Sequence, residues 1–375
     1  MNKGLKEIFY SKYGEEPNMI VKSPGRVNII GEHTDYNNGF VLPMAIDRHI
    51  KIAFKPRNDD KIKLQSIGFD TEIDCSIHDD DYRGDWQDYV MSICWVLLKN
   101  NYELKGWEGV MTSNIPVGAG LSSSAALLLA ILKVFSVTSN FYWDGLKMAK
   151  LARTAENEFL QLKSGIMDQM ICALGRPEHA MLLDCRDLLS KFVTIPSNVK
   201  IIILDTLTRR ELVDSKYNER VKQCEASAEY FGCSSLRDVD IKTFEEKKSG
   251  LDKLLMKRSK HVIYENNRVL EVSKAMKNND VNKIGELIND SHYSLKNDYQ
   301  VSSKELDIMV EIAQKEAGCF GARMTGAGFG GCAIALIDES FQEQFMRNIF
   351  NTYYLKTGIK PMIYISNPSS GVLLS

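Results

Sequence analysis

Pro116-Val117-Gly118-Ala119-Gly120-Leu121-Ser122-Ser123-Ser124-Ala125-Ala126 is the stretch on which the reading of this chain turns. Two spaced glycines come first, then three serines, then a segment of good helix formers. Gly118 and Gly120 have no Cβ, so the backbone can turn sharply and approach a ligand closely. The serines fall where the first N–H groups of a helix have no partner within it. Those N–H groups, with the helix dipole behind them, form an anion site. The stretch therefore predicts a polyphosphate pocket at a helix N-terminus. A Ser-capped helix behind an ordinary glycine turn is the alternative.

On either side of this loop the periodicity is mixed. Gly109 to Asn114 reads as a strand that feeds it, and Ala125 to Val137 as a helix apolar nearly all round, hence buried. Upstream, Ile50, Ile52 and Phe54 alternate with Lys51, Ala53 and Lys55, as in a strand. Trp86 to Leu98 and Leu146 to Phe159 have helical spacing, and Gly165 to Gln169 opens another helical run. Beyond Pro177, Lys200 to Asp205 is an apolar strand, followed by charged helices near 216–230, 257–277 and 281–289. A helix from Ser303 to Ala317, a strand from Cys332 to Ile337, a helix from Phe341 to Tyr354 and a last strand near 360–366 complete the pattern. Both halves mix helix and strand, so the class is α+β.

A length of 375 residues exceeds what one hydrophobic core usually supports. Two domains are expected, residues 1–175 and 176–375, with the last strand packing back on the first. The apolar fraction of 44% and charged fraction of 26% are those of an ordinary globular chain. A formal charge of −2 provides no basic field for nucleic acid or an anionic membrane. The eight cysteines form no CxxC pair and lack zinc-ligand spacing to histidine, so they read as reduced core thiols in a cytoplasmic protein. Asn2 to Glu16 is too polar for a signal peptide, and no apolar run approaches the ~20 residues that span a bilayer.

Two further stretches carry chemistry. Ser23-Pro24-Gly25-Arg26-Val27-Asn28-Ile29-Ile30-Gly31-Glu32-His33-Thr34-Asp35-Tyr36 runs from a short strand into a dense polar turn. Two carboxylates and an imidazole on one turn suit a polyhydroxy ligand, because they can take several hydroxyl hydrogen bonds; a polar loop with local Asx turns would look similar. Gly326-Ala327-Gly328-Phe329-Gly330-Gly331 matches GxGxxG, but the residues after it look like a strand, whereas a dinucleotide fold needs a helix there. A loop that closes on a ligand or on another loop fits better. The chain contains no G-x-x-x-x-G-K-[ST], H-R-D or D-F-G, so neither a P-loop protein nor a protein kinase is expected.

These three motifs, in this order, resemble the galactokinase/homoserine kinase/mevalonate kinase/phosphomevalonate kinase (GHMP) superfamily, and residues 25–36 resemble the signature of its galactokinase branch. The likeness runs from Ser23 to Ala333. It implies a two-domain GHMP kinase-like fold: an N-terminal ribosomal-protein-S5-domain-2-like domain, a C-terminal ferredoxin-like α/β domain, and an active site in the cleft between them. It implies that Gly118, Ala119, Gly120, Leu121, Ser122, Ser123 and Ser124 bind ATP, with Ser124 and Glu156 holding Mg²⁺. Glu32, His33, Thr34 and Asp35, helped by Gly165 and Tyr217, would bind the sugar. Asp168 would be the catalytic base, with Arg26 beside it.

The expected reaction is transfer of the ATP γ-phosphoryl to the anomeric hydroxyl of galactose. Asp168 would chiefly orient the hydroxyl and take its proton late, because the transition state is loose. Partners are the sugar and ATP, and a monomer is expected. Two departures sit beside the sugar motif: Ser164 stands where many relatives have Cys, and Glu158 to Lys163 differs from the smaller run usual there. They leave N-acetylgalactosamine, galacturonate or arabinose as alternative substrates. A non-catalytic sugar-binding regulator is a further alternative, which the intact Ser123-Ser124-Ala125-Ala126 argues against. A kinase for a non-sugar alcohol would not need the polar cluster at 32–35.

Overall fold

Ile50, Ile52 and Phe54 lie on the buried face of one long strand, as their alternation requires. The computed structural model describes residues 4–68, 72–162, 164–209 and 213–375. The first half runs α1 (Leu5–Tyr13), β1 (Met19–Asn28), β2 (Phe40–Val41), β3 (Pro43–Pro56), β4 (Lys61–Ser66), β5 (Glu72–Ser76), α2 (Gln87–Lys99), β6 (Trp107–Ser113), α3 (Ser123–Thr138), α4 (Gly145–Thr154), α5 (Met167–Leu174), β7 (His179–Asp184) and β8 (Leu189–Thr194). The second runs β9 (Val199–Asp205), α6 (Val213–Phe231), α7 (Ile241–Lys247), α8 (Lys253–Lys277), α9 (Val281–Ser294), α10 (Lys304–Lys315), β10 (Cys319–Met324), β11 (Cys332–Asp338), α11 (Gln342–Thr357), β12 (Met362–Ser366) and β13 (Leu373–Leu374).

The first sheet has the order β13-β1-β3-β6-β4-β5, antiparallel except where β4 meets β6. α3 lies across it on β1 and β3, with α2, α4 and α5 on its other sides. That placement explains why α3 has apolar residues all round. Ala53, on the opposite face of β3, is covered by Phe9 of α1.

The second-half sheet has the order β10-β11-β9-β12, all antiparallel. One face, with Ile202, Leu204, Ala333 and Ala335, packs under α6, α8, α10 and α11 side chains. The other, with Ile201, Ile203, Ile334 and Leu336, joins the core of the first half. β9 is thus buried on both faces, which is why Lys200–Asp205 reads as a continuous apolar run.

The structure differs from two expectations and refines a third. The strand near 360–366 pairs within the second sheet, on β9, while its Tyr364 packs back on the first half under Arg48 of β3. The chain returns to the first sheet only afterwards, where β13 pairs with β1. Residues 179–194, assigned to the second domain, form the β7–β8 hairpin that pairs with β2 of the first half. Finally, the helix expected over 146–159 stops at Thr154. A π-helical turn, Ala155–Phe159, follows and carries Glu156 into the interior; such turns concentrate at functional sites. The eight cysteines are free thiols, most of them buried. Among the described residues no helix is long and apolar enough to cross a membrane.

Candidate active site

Gly118 and Gly120 take φ values of 66° and 77°, so the loop folds back and the N-terminus of α3 opens into a cavity of about 450 Å³. Ser122 sits at the N-cap, but its side chain does not cap the helix. Its hydroxyl donates to Asp168 instead. The simple Ser-capped helix is therefore not what this stretch forms. The first turn of α3 instead faces the cavity with Ser122, Ser123 and Ser124 in its wall.

Asp168, in the first turn of α5, meets Arg26 of β1 in a two-pronged ion pair. Arg26 Nε lies 2.7 Å from Oδ1 and a terminal nitrogen lies 2.8 Å from Oδ2. The third arm of the same guanidinium donates to the Gly120 carbonyl at 2.5 Å. One buried arginine thus locks the carboxylate to the glycine–serine loop. Three donors now occupy Asp168, and an ionised carboxylate has about four lone-pair sites. One site remains for a ligand hydroxyl.

The polar turn of residues 32–35 is less uniform than its sequence suggests. Asp35 faces the cavity, and burial followed by the charge of Asp168 pushes its pKa up to about 6. Gly165 packs directly on it: a Cβ there would lie 1.7 Å from Asp35 Oδ2. Tyr217 of α6 completes that side, with its ring 5.7 Å from His33.

Glu32 also borders the cavity, but its oxygens already have protein donors. Arg323 and Asn28 reach Oε2, both at 2.6 Å, and the Gly326 N–H (2.8 Å) and Thr325 hydroxyl (3.1 Å) reach Oε1. Burial raises its pKa, against the pull of Arg323. The Thr325 hydroxyl has a second acceptor in the Asn28 carbonyl, so it can turn away and free one site on Glu32. His33 has no such reserve. Its Nε2 faces the Ala327 carbonyl at 3.1 Å, so that nitrogen carries the proton, and Nδ1 accepts from Tyr36 at 2.9 Å. Burial, then His261, lowers its pKa to about 3, which keeps the ring neutral.

Two of the expected residues keep their side chains out of the cavity wall. Thr34 does not line the cavity; its buried hydroxyl reaches the Gly31 and Phe40 carbonyls at 2.8 and 2.6 Å and pins the turn. Ala119 also points away, into the first core. Gly118, Gly120, Leu121, Ser123, Ser124 and Glu156 do line the cavity.

Glu156 is not a solvated helix carboxylate. It is buried, and burial raises its pKa even though Ser164, Ser124 and Gln169 donate to it. Ser124 and Glu156 supply a hydroxyl and a carboxylate, hard oxygen donors of the kind that suit Mg²⁺.

The glycine loop behaves as expected of a loop that closes on another. Gly326, Gly328, Gly330 and Gly331 all have positive φ. Side-chain-free Gly326 and Gly331 rest against the Gly120 and Ala119 carbonyls. Between the two loops lies a second cavity of about 320 Å³. Arg209 borders it, held by buried Asp205 at 2.8 and 2.7 Å.

Gln161, Leu162 and Asn218 also line the main cavity, and Gln169 holds Glu156. Sequence reasoning missed Gln161, Asn218, Gln169 and Arg209 as site residues. Gln169 and Asn218 adjoin Asp168 and Tyr217, but nothing in their spacing marks them. Lys163, the end of the divergent 158–163 run, lies outside the described residues.

Comparison with known proteins identifies the family. Residues 7–56 match the family described as galactokinase galactose-binding signature, 88–176 the GHMP kinases N terminal domain, and 272–355 the GHMP kinases C terminal domain. A galactokinase of Roseiflexus sp. (strain RS-1) is 40% identical, over 98% of this chain and 96% of that protein. The crystal structure of Lactococcus lactis galactokinase complexed with galactose superposes with a TM-score of 0.95 at 36% identity, covering 98% of both chains. Mevalonate kinase of Methanococcus jannaschii shares the fold, with a TM-score of 0.67 at 22% identity over 94% of this chain and 98% of that one.

Proposed function

The chain belongs to the galactokinase family and is an ATP-dependent galactose kinase; from that premise we propose that Asp168 aims the sugar's anomeric hydroxyl at a triphosphate held by residues 118–124. The observation that carries this reading is the Arg26–Asp168 pair at the mouth of α3, tied to the loop through Gly120. The hydroxyl donates to the remaining lone-pair site of Asp168. Its oxygen then forms the new bond to phosphorus as the bond from phosphorus to the ADP oxygen breaks. The proton passes to Asp168 late, since a loose transition state needs little prior deprotonation.

The N–H groups at the start of α3 stabilise charge on the phosphoryl oxygens. Ser124 and Glu156 would hold Mg²⁺, which when bound neutralises charge on the phosphates. Asp35 takes sugar hydroxyls, with Gly165 and Tyr217 shaping the space around it. Glu32 accepts one more when Thr325 turns to Asn28. His33, neutral and fixed, acts as wall.

The test is Asp168→Asn. Turnover should fall roughly a hundred- to ten-thousandfold, the usual contribution of a positioned acid–base group. Galactose affinity by calorimetry should change little. ADP release at a near wild-type rate in the purified variant would remove this role from Asp168.

A further inference from the structure

We infer that Ser164 and Gln169 are positioning residues for Glu156, and that they set how tightly the divalent cation of the nucleotide complex is held. The inference rests on the reading of Ser124 and Glu156 as donors to that cation. Both residues act on one atom. Ser164 Oγ and Gln169 Nε2 each donate to Glu156 Oε2 at 2.6 Å, which for the Ser164 hydroxyl is closer than its other acceptor, Asn157 Oδ1 at 3.0 Å. Two donors on one oxygen fix the plane of the carboxyl group and leave Oε1 as the oxygen for a cation at the Ser124 hydroxyl.

Gln169 is dedicated to this contact: it is fully buried, and among the described residues its amide oxygen has no hydrogen-bond partner and its amide nitrogen donates to Glu156. Ser164 is anchored independently of its hydroxyl. Its N–H donates to Asn157 Oδ1 at 3.0 Å, and Asn157 Nδ2 donates to its carbonyl at 3.2 Å. The backbone therefore stays in place when the hydroxyl is removed. The π-helical turn matters here as well, because Glu156 and Asn157 are neighbours on it and together bracket Ser164.

Outer partners of a metal ligand typically govern affinity by about ten- to a hundredfold. The experiment is titration of the protein with Mn²⁺ at saturating ADP, read by electron paramagnetic resonance, with galactose affinity measured separately by calorimetry. Ser164→Ala and Gln169→Leu should each raise the Mn²⁺ Kd by about tenfold or more, with galactose Kd unchanged within about twofold. Glu156→Gln should weaken Mn²⁺ at least as much. An unchanged Mn²⁺ Kd in Ser164→Ala and Gln169→Leu, beside a weakened Glu156→Gln, overturns the inference and leaves the metal reading standing. An unchanged Kd in Glu156→Gln overturns both. Equal losses of Mn²⁺ and galactose affinity would mark general damage and also overturn it.

Discussion

Asp35 is a carboxylate placed where a carboxylate is costly. Burial and the nearby Asp168 raise its pKa to about 6, while Arg26 and Arg153 pull the other way. The folded protein therefore binds this proton more tightly than the unfolded chain, whose aspartates titrate near ~3.9. Its contribution to stability is full below that value and is lost as pH rises through about 6. Asp35→Asn should accordingly raise Tm at pH 7.5, and the gain should vanish near pH 4, as followed by thermal melts across pH. The same carboxylate accepts sugar hydroxyls most strongly when ionised. Galactose affinity in the wild type should thus weaken as pH falls below about 6, and calorimetry on the Asn variant should show weak binding without that break. His33 will not contribute to the break, since it stays neutral down to about pH 3. Arg26 poses a second test at this scale. Lysine keeps the charge but cannot form the planar fork onto Asp168 and Gly120. Arg26→Lys should cut kcat about ten- to a hundredfold, the equivalent of one lost charge-assisted hydrogen bond of ~1.5–3 kcal/mol.

At the scale of elements, the site is two helix N-termini facing each other across a loop. α3 brings its free first turn and α5 brings Asp168, and β1 supplies the arginine that joins them. The segment entering α5 sets the spacing, and Gly165 is its critical point because it touches Asp35. Gly165→Ala should raise the galactose Kd by about tenfold, given that overpacking costs ~1–3 kcal/mol, and leave ADP affinity near wild type. An unaltered galactose Kd would show that Asp35 has room to move. Most of these elements are legible in the sequence, because β3 alternates while α3 and β9, buried on nearly every side, read as almost unbroken apolar runs. The break between α4 and the π-helical turn is not. Residues 146–159 keep helical spacing throughout, and the change of hydrogen-bond pattern leaves no mark on the order of apolar residues. The β7–β8 hairpin is also hidden, since its partner is a two-residue strand far back in the chain.

Across the whole molecule, the first motif is held by the far end of the chain. Glu32 and Arg323 form a buried ion pair at 2.6 Å, and Arg323 also donates to the Asn28 and Ile29 carbonyls. Removing one partner leaves an uncompensated buried charge. Arg323→Met should cost ~3–5 kcal/mol of unfolding free energy, and adding Glu32→Gln should recover part of it, as read by denaturant titration. This tie also explains what the sequence withholds. Glu32, His33, Thr34 and Asp35 look alike on paper as a polar cluster. Only the arrival of Thr325, Gly326 and Ala327 distinguishes Asp35, which faces a ligand, from His33, whose nitrogens are both engaged. No local pattern encodes a partner nearly three hundred residues away.

That long reach bears on when the enzyme comes into being. His33 leans on Ala327 and Glu32 on Gly326, so one part of the pocket is finished by a part made almost three hundred residues later. A chain that stops before Thr325 carries every residue of α3 and α5 together with Arg26 and Asp168, yet lacks the groups that hold Glu32 and His33. Catalytic competence is therefore expected only once residues 325–327 have joined the fold, and a product truncated before them should show no galactose-dependent ADP release.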